Sequence, residues 1–319
     1  MAYRLKPGRQ ISHSVREIGT EQIDRVLARF SAKNGRGTAV HEARKAMKRL
    51  RALLHLIKPA MPKGTFAAHE ARVKTIARSL SGARDAQAML ETVRKLEALE
   101  GAANVAPVTA SLRAHLEAKC AEAERGLGGS GAAQLRKLLK EARASFAELS
   151  LDQDEFDVVA ATLETDYREA RQTFRRAYRI GEDEAFHEWR KYVQRHWRQL
   201  LLVAPSWPKA IRPHVALARN LSDILGEDHD LSVLAGIVKA QGNELGASDA
   251  LEAYVSLCHT RQTELRRIAQ DLGARLLAEK PGSLARRISA YWATAGTFDD
   301  EEASASGGSN IIALSRRPH

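Results

Sequence analysis

The word HEARK at residues 41–45 returns as HEWRK at 187–191, an offset of 146. A second pair, LSGARDAQAML (80–90) and LGEDHDLSVL (225–234), repeats at an offset of 145. Two separate matches at nearly one spacing indicate a diverged duplication. This limits the fold more than composition does, because what one half builds the other must build again. In this register Arg84 aligns with His229, Asp85 with Asp230 and Lys74 with Arg219. The seam falls between GLGGSGAA (126–133) and LSLDQDE (149–155), where Gly, Ser and Asp interrupt the apolar periodicity.

Both halves read as helical. Aromatic residues make up 5% of the 319 residues, prolines number nine, and long β-branched runs of period two are absent. Val40, Ala43, Met47, Leu50, Leu54 and Ile57 follow the 3-4 spacing of a core-facing stripe, as do Phe186, Trp189, Val193, Trp197 and Leu200 in the second half. The tryptophans at this spacing are expected in the core rather than as a stacking platform. Each basic helix ends at two prolines, in KPAMPKG and APSWPKA. The expected class is all-α, with residues 3–296 divided at about 150/151 and a disordered, Ser/Gly-rich tail at 297–319.

Beside the first apolar stripe lie His41, Arg44, Lys48, Arg51 and His55, flanked by Lys45 and Arg49, while Glu42 is the only acid from 40 to 58. Neighbouring like charges on one helix cost some tenths of a kcal/mol per pair, and an ordinary solvated face would mix signs. A stripe of this kind is therefore expected to meet an anion. The second half offers His187, Arg190, Lys191, Arg195 and Arg198, with Gln194 where Lys48 stands in the first half. Lys74, Arg78 and Arg84, then Arg219 and His229, follow on the next helices. Because Arg84 aligns with His229, and Arg does not coordinate metals, EDHD (227–230) is not read as a metal site. Asp85 and Asp230 are read as acids that orient the neighbouring donor.

A net charge of +11 and a pI near 9.8 call for an anionic partner. The two cysteines, Cys120 and Cys258, fit neither a disulfide framework nor a metal spacing, which suits a cytoplasmic protein. The start MAYRLKPGRQ lacks the apolar region of a signal peptide, and no apolar run approaches the roughly 20 residues of a membrane span. HExxK is not the zinc-protease HExxH, and no P-loop, GxSxG or paired-Cys motif occurs. No cofactor, metal site or enzymatic activity is expected.

Four ordered words, VHEARKAMKRLRALL (40–54), ARSLSGARDAQAML (77–90), FHEWRKYVQRHWRQLLL (186–202) and LSDILGEDHDLSVL (221–234), resemble those of CHAD domains, histidine-bearing α-helical domains. YRLKPGRQISHSVREI (3–18) is similar to that family's lead-in, so the resemblance covers about residues 3–296. It implies two four-helix-bundle halves, related by a pseudo-twofold axis around a basic central cavity, that bind inorganic polyphosphate, often in association with polyphosphate granules. Carried over by position, the binding residues are His41, Arg44, Lys45, Lys48, Arg49 and Arg51 from the first half, and His187, Arg190, Lys191 and Arg195 from the second. Lys74, Arg78, Arg84, Arg219 and His229 join them from the following helices. Gln194 and Trp197, standing where the first half has Lys48 and Arg51, depart from the pattern and imply unequal halves. The triphosphate-tunnel domain that accompanies some members, with its ExExK signature, does not appear. The histidines are expected to gain charge near pH 6.5 and to tune binding.

The leading alternative is a nucleic-acid-binding protein using the same basic surface, which would interleave aromatics with the cations. An enzyme tracking along phosphate chains and a scaffold for acidic or granule proteins are the other rivals.

Overall fold

Val40, Ala43, Met47, Leu50, Leu54 and Ile57 are each at most 4% exposed, so the stripe of the first basic helix is core along its whole length. Phe186, Trp189, Val193 and Leu200 repeat this in the second, while Trp197 is partly buried. The computed structural model describes residues 3–31, 36–126 and 130–305, with side chains at all of these except 31, 36–38, 81–85, 124, 130, 243 and 296–305. The described residues form α-helices, short 3-10 turns and loops, with no strand.

The first six helices are α1 (Ile11–Ser31), α2 (Arg36–Ile57), α3 (Thr65–Ser79), α4 (Ser81–Glu97), α5 (Ala106–Gly126) and α6 (Ser130–Ala147). They are followed by α7 (Phe156–Ile180), α8 (Asp183–Val203), α9 (Pro208–Gln241), α10 (Ser248–Leu276) and α11 (Pro281–Ala305). Helix α1 packs on α2 and α6, and α3 packs on the same two, closing a ring of four. Helix α8 packs between α7 and α9, α9 lies along α10, and α11 returns to α7. The two groups meet where α2 touches α7 and α8. One apolar core runs from Tyr3 to Ile288 through both groups. A second, around Val93, Leu112, Leu234 and Tyr254, joins α4 and α5 to α9 and α10.

Both basic helices stop where the prolines predict, in 3-10 turns at Lys58–Ala60 and Ala204–Ser206. Proline presets the turn's φ but lacks the N–H needed to continue an α-helix. Helix α7 ends at Gly181, whose left-handed φ of 79° lets its N–H bond to the Ala177 carbonyl at 2.8 Å. The second of the two stretches that bracket the seam, 149–155, is pinned. Asp154 accepts from the Ser12 backbone N–H at 2.6 Å and from its hydroxyl at 2.7 Å, and the Asp152 N–H reaches the Ala60 carbonyl at 2.7 Å. Upstream of α1, the Leu5 N–H bonds to the Leu202 carbonyl at 2.8 Å, tying the lead-in segment to the end of α8.

At the C-terminus α11 continues to Ala305, past the point where composition places the start of the tail; residues 306–319 lie outside the described residues. No helix among the described residues is long and apolar enough to cross a membrane.

Trp189 lies against Gly273 of α10, where a Cβ would sit 2.8 Å from Trp189 Cζ2 and 3.0 Å from Phe174 Cε2. A methyl group there must push apart α7, α8 and α10 at their common contact. Gly273→Ala is expected to cost about 1–3 kcal/mol in denaturant unfolding, the usual penalty of overpacking, despite alanine's better helix propensity.

Candidate functional site

Burying the apolar stripes of α2 and α8 brings their basic faces together. Lys48 of α2 is the centre. Its side chain is exposed and stands among charged groups of α2, α8 and α9, here termed the recess. Among the described residues it makes no hydrogen bond or ion pair. Poor solvation, then the guanidinium charges of Arg190, Arg198 and Arg44, drive its pKa from the ordinary lysine value down to about 8, with the Asp230 carboxylate opposing them. An ammonium group held in that environment favours losing its proton or gaining an anion.

Each neighbour is held by an identifiable element. Arg44 donates to the Leu80 carbonyl at 3.4 Å, at the break between α3 and α4. Arg190 lies over Gly226 of α9, where a Cβ would come 3.8 Å from its Nε. The Gln194 amide, turned with its oxygen toward Arg190, accepts from Nε and Nη2 at 3.3 Å. Burial lowers the pKa of Arg190, and Asp230 and Asp228 counter it. Arg198 is 7% exposed, donates to the Gln194 carbonyl at 2.7 Å and stacks over Trp197 at 4.5 Å. Burial brings its pKa down to about 10.

His187 of α8 and His229 of α9 stack at the edge of this recess, their ring centroids 4.0 Å apart. Burial and then the charges of Arg190, His187 and Lys191 push His229 down to about 4, and burial with Lys191 and Arg190 lowers His187. Both rings are therefore neutral at pH 7, and His187 Nδ1 is buried without a partner among the described residues. For His187 and His229 these downward shifts run against the expectation of titration near 6.5. Burial, and after it the cations that would attract the ligand, keeps protons off the rings.

The lower part of the stripe differs, because acids reach it from other helices. Glu70 of α3 lies 3.6 Å from Arg51, 3.5 Å from His55 and 3.1 Å from Lys74. Arg195 donates to buried Asp166 of α7 at 2.9 Å, and Gln199 reaches the other carboxylate oxygen at 2.5 Å. Burial and then the Arg195 charge bring His55 down to about 4. Arg51, Lys74 and Arg195 are thus partly neutralised.

The remaining predicted residues are placed as follows. Arg49 turns toward the lead-in segment. Its Nη1 donates to Gln22 at 3.1 Å, its guanidinium lies 5.6 Å from the Tyr3 ring, and its backbone carbonyl accepts from the Tyr3 hydroxyl at 2.9 Å. Lys45 pairs with Glu42 at 3.7 Å and Lys191 with Glu188 at 2.7 Å, both on exposed turns. His41 and Arg78 are exposed, as is Arg219, which lies 3.8 Å from Asp223. The side chains of Arg84 and Asp85 lie outside the described residues. Arg198 is the site cation that the position-by-position carry-over missed; its signal was its place on the polar face of α8. Beneath the recess, Arg266 of α10 ties α9 to the start of α8 by donating to Asp228 at 2.7 Å and Asp183 at 2.5 Å. No group of three or more His, Cys, Asp or Glu suited to a metal ion occurs among the described residues.

The family described as "CHAD domain" matches residues 17–239. Among solved structures, the crystal structure of the CHAD domain from the plant Ricinus communis is 18% identical, with a TM-score of 0.66 over 87% of this chain and 95% of that one. PptA from Streptomyces chartreusis is 15% identical, with a TM-score of 0.60 over 83% of this chain and 98% of that one. No curated protein matches the sequence.

The strained ammonium makes a stability prediction. Lys48 has a lower pKa folded than unfolded, so its charge disfavours the fold below about pH 8, and stability returns as pH rises from there toward the unfolded value. Lys48→Met is expected to melt at a higher temperature than the parent at pH 7 in low salt. The difference should shrink between pH 8 and 10, as thermal scans across that range will show.

Proposed function

The chain belongs to the CHAD domain family, and from that premise we propose that it binds inorganic polyphosphate, without catalysis, in the recess where α2 meets α8 and α9. The observation that carries this reading is Lys48, which is without a hydrogen bond or ion pair among the described residues and has Arg44, Arg190 and Arg198 about it. A polyphosphate chain repeats charged, non-bridging oxygens and offers no bases. It is suited by several Lys and Arg donors on a rigid frame, with guanidiniums gripping two oxygens and the ammonium acting as a point charge. The neutral histidines would serve as hydrogen-bond donors beside the chain.

The two halves are proposed to be duplicated bundles related by a pseudo-twofold axis, with the recess as their shared basic cavity and residues 3–296 as one domain. The ring α1, α2, α3 and α6 has its counterpart in α7, α8, the first part of α9 and α11, as the contacts α1–α6 and α7–α11 suggest. In the 145-residue register α3 and α4 together correspond to α9, which runs unbroken where the first half breaks at Leu80. The halves are proposed to be unequal. Gln194, in place of a second lysine, holds Arg190 rather than adding a charge.

The nucleic-acid reading asks for accessible aromatic faces among the cations. Trp197 of α8 is stacked against Arg198 and Arg219, and its indole nitrogen is buried, which favours the base-free polyanion. Binding of this kind would recruit the protein to cytoplasmic polyphosphate granules.

Two measurements test the proposal. In a salt titration with long-chain polyphosphate, the parent is expected to bind with a steep salt dependence. Lys48→Ala with Arg190→Ala should bind more weakly and lower the slope by about 0.7–0.9 per lost contact. Duplex or single-stranded nucleic acid at equal phosphate concentration should compete poorly; equal displacement would overturn the assignment. Across pH, affinity should be nearly flat from 6 to 7.5 and fall above about 8, where free Lys48 loses its proton and binding must restore it. An affinity that instead rises toward pH 6 would assign the pH response to the histidines.

A further inference from the structure

A cavity of about 210 Å³ lies away from the recess, within the second helix group, where α7, α8, α9, the end of α10 and α11 converge. Its walls are Tyr167, Leu200, Ile211, Leu276, Leu284 and Ile288, all at most 4% exposed. Such walls are those of a core, and a core of this quality normally closes to native density.

Two features separate it from a packing defect. His196, 1% exposed, contributes its ring to the wall, and its Nδ1 has no hydrogen-bond partner among the described residues. Burial, then the charge of His214, brings the pKa of His196 down to about 3, so the imidazole is neutral and keeps an N–H to donate. The neighbouring polar group Tyr167 is already committed, its hydroxyl donating to the Leu276 carbonyl at 3.0 Å. The second feature is the rim. Exposed Arg275 and His214 also line the cavity, and Arg275 makes no ion pair among the described residues. Arg287 and Glu279 line it too and are bound to each other at 2.7 and 3.2 Å.

We propose that this cavity binds a small monocarboxylate with an apolar body, its carboxylate held by Arg275 and the His196 N–H and its body against Leu200, Ile211, Leu284 and Ile288. Size sets the body: a dry cavity of about 150 Å³ accepts benzene, so this one fits a ring with a short acid arm. The position sets the consequence. Tyr167 and His196 pack ring on ring at 5.1 Å, and His196 stands on the same helix as the recess residues Arg190 and Arg198. Occupancy thus acts on α8 from the side opposite the polyanion.

The test uses the full chain and phenylacetate as the probe, with binding read by the His196 ring resonances and by the rise in melting temperature. Phenylacetate is expected to shift the His196 signals and raise the melting temperature in a saturable way, in the parent and equally in Lys48→Ala. Benzyl alcohol, which keeps the ring but lacks the charge, should bind at least about tenfold more weakly, as should phenylacetate to Arg275→Ala, because each loses a charge-assisted hydrogen bond. Unmoved His196 signals, or equal binding of the alcohol and of the Arg275→Ala variant, would overturn the proposal. Loss of binding in Lys48→Ala would instead place the probe in the recess and overturn it as well.

Discussion

The interaction on which the site depends is an unfavourable one, the gathering of Lys48, Arg44, Arg190 and Arg198 at the contact of α2 with α8. An isolated pair of helices would not form it, since each like-charge neighbour adds several tenths of a kcal/mol against association. The apolar sides of the same helices outweigh that cost. Met47, Leu50, Leu54, Trp189 and Val193 are each at most 1% exposed, and full burial of one such side chain is worth about 1.5–3 kcal/mol. The cations are thus held together by the core behind them, with little favourable electrostatics of their own until an anion arrives.

Acids supplied from elsewhere decide which cations remain available. Glu70 and Asp166 take up Arg51, Lys74 and Arg195, while Asp228 and Asp183 bind Arg266 beneath the recess and Asp230 only partly offsets Lys48 and Arg190. A single basic stripe is in this way divided into a neutralised lower part and a charged upper part. The same charges set the protonation of the histidines. His187 and His229 remain neutral because they are partly buried and then because they stand beside Arg190 and Lys191, which moves the pH-sensitive step to the lysine.

Much of this was legible in the chain. The 3-4 apolar spacing named the buried face of α2 residue by residue, and the paired prolines located the ends of α2 and α8. The repeated words lie on helices that meet, since Arg44, Lys48, His187, Arg190 and His229 come together although 185 positions separate the first from the last. What a window on one helix could not reveal was the charge of its neighbours. Glu42 was the only acid near the stripe in sequence, yet Glu70 and Asp166 lie beside it in space. Arg49, which flanks the stripe, was carried over as a binding residue by the family resemblance, but Tyr3 and Gln22 draw it toward the lead-in segment. Arg198 was passed over as a site residue although the sequence put it on a polar face of its helix, and its charge acts on Lys48. The unbroken α9 is likewise unforeseen by a register in which its first-half counterpart breaks at Leu80.

The most direct measurement is the titration of the Lys48 ammonium itself, followed by NMR of a selectively labelled chain with and without polyphosphate. Free protein should show a pKa near 8, and saturating polyphosphate should return it toward the ordinary lysine value of about 10.4 as the added negative charge stabilises the proton. A free-protein value already near that of an ordinary lysine, or a low value that polyphosphate leaves unchanged, would contradict the account.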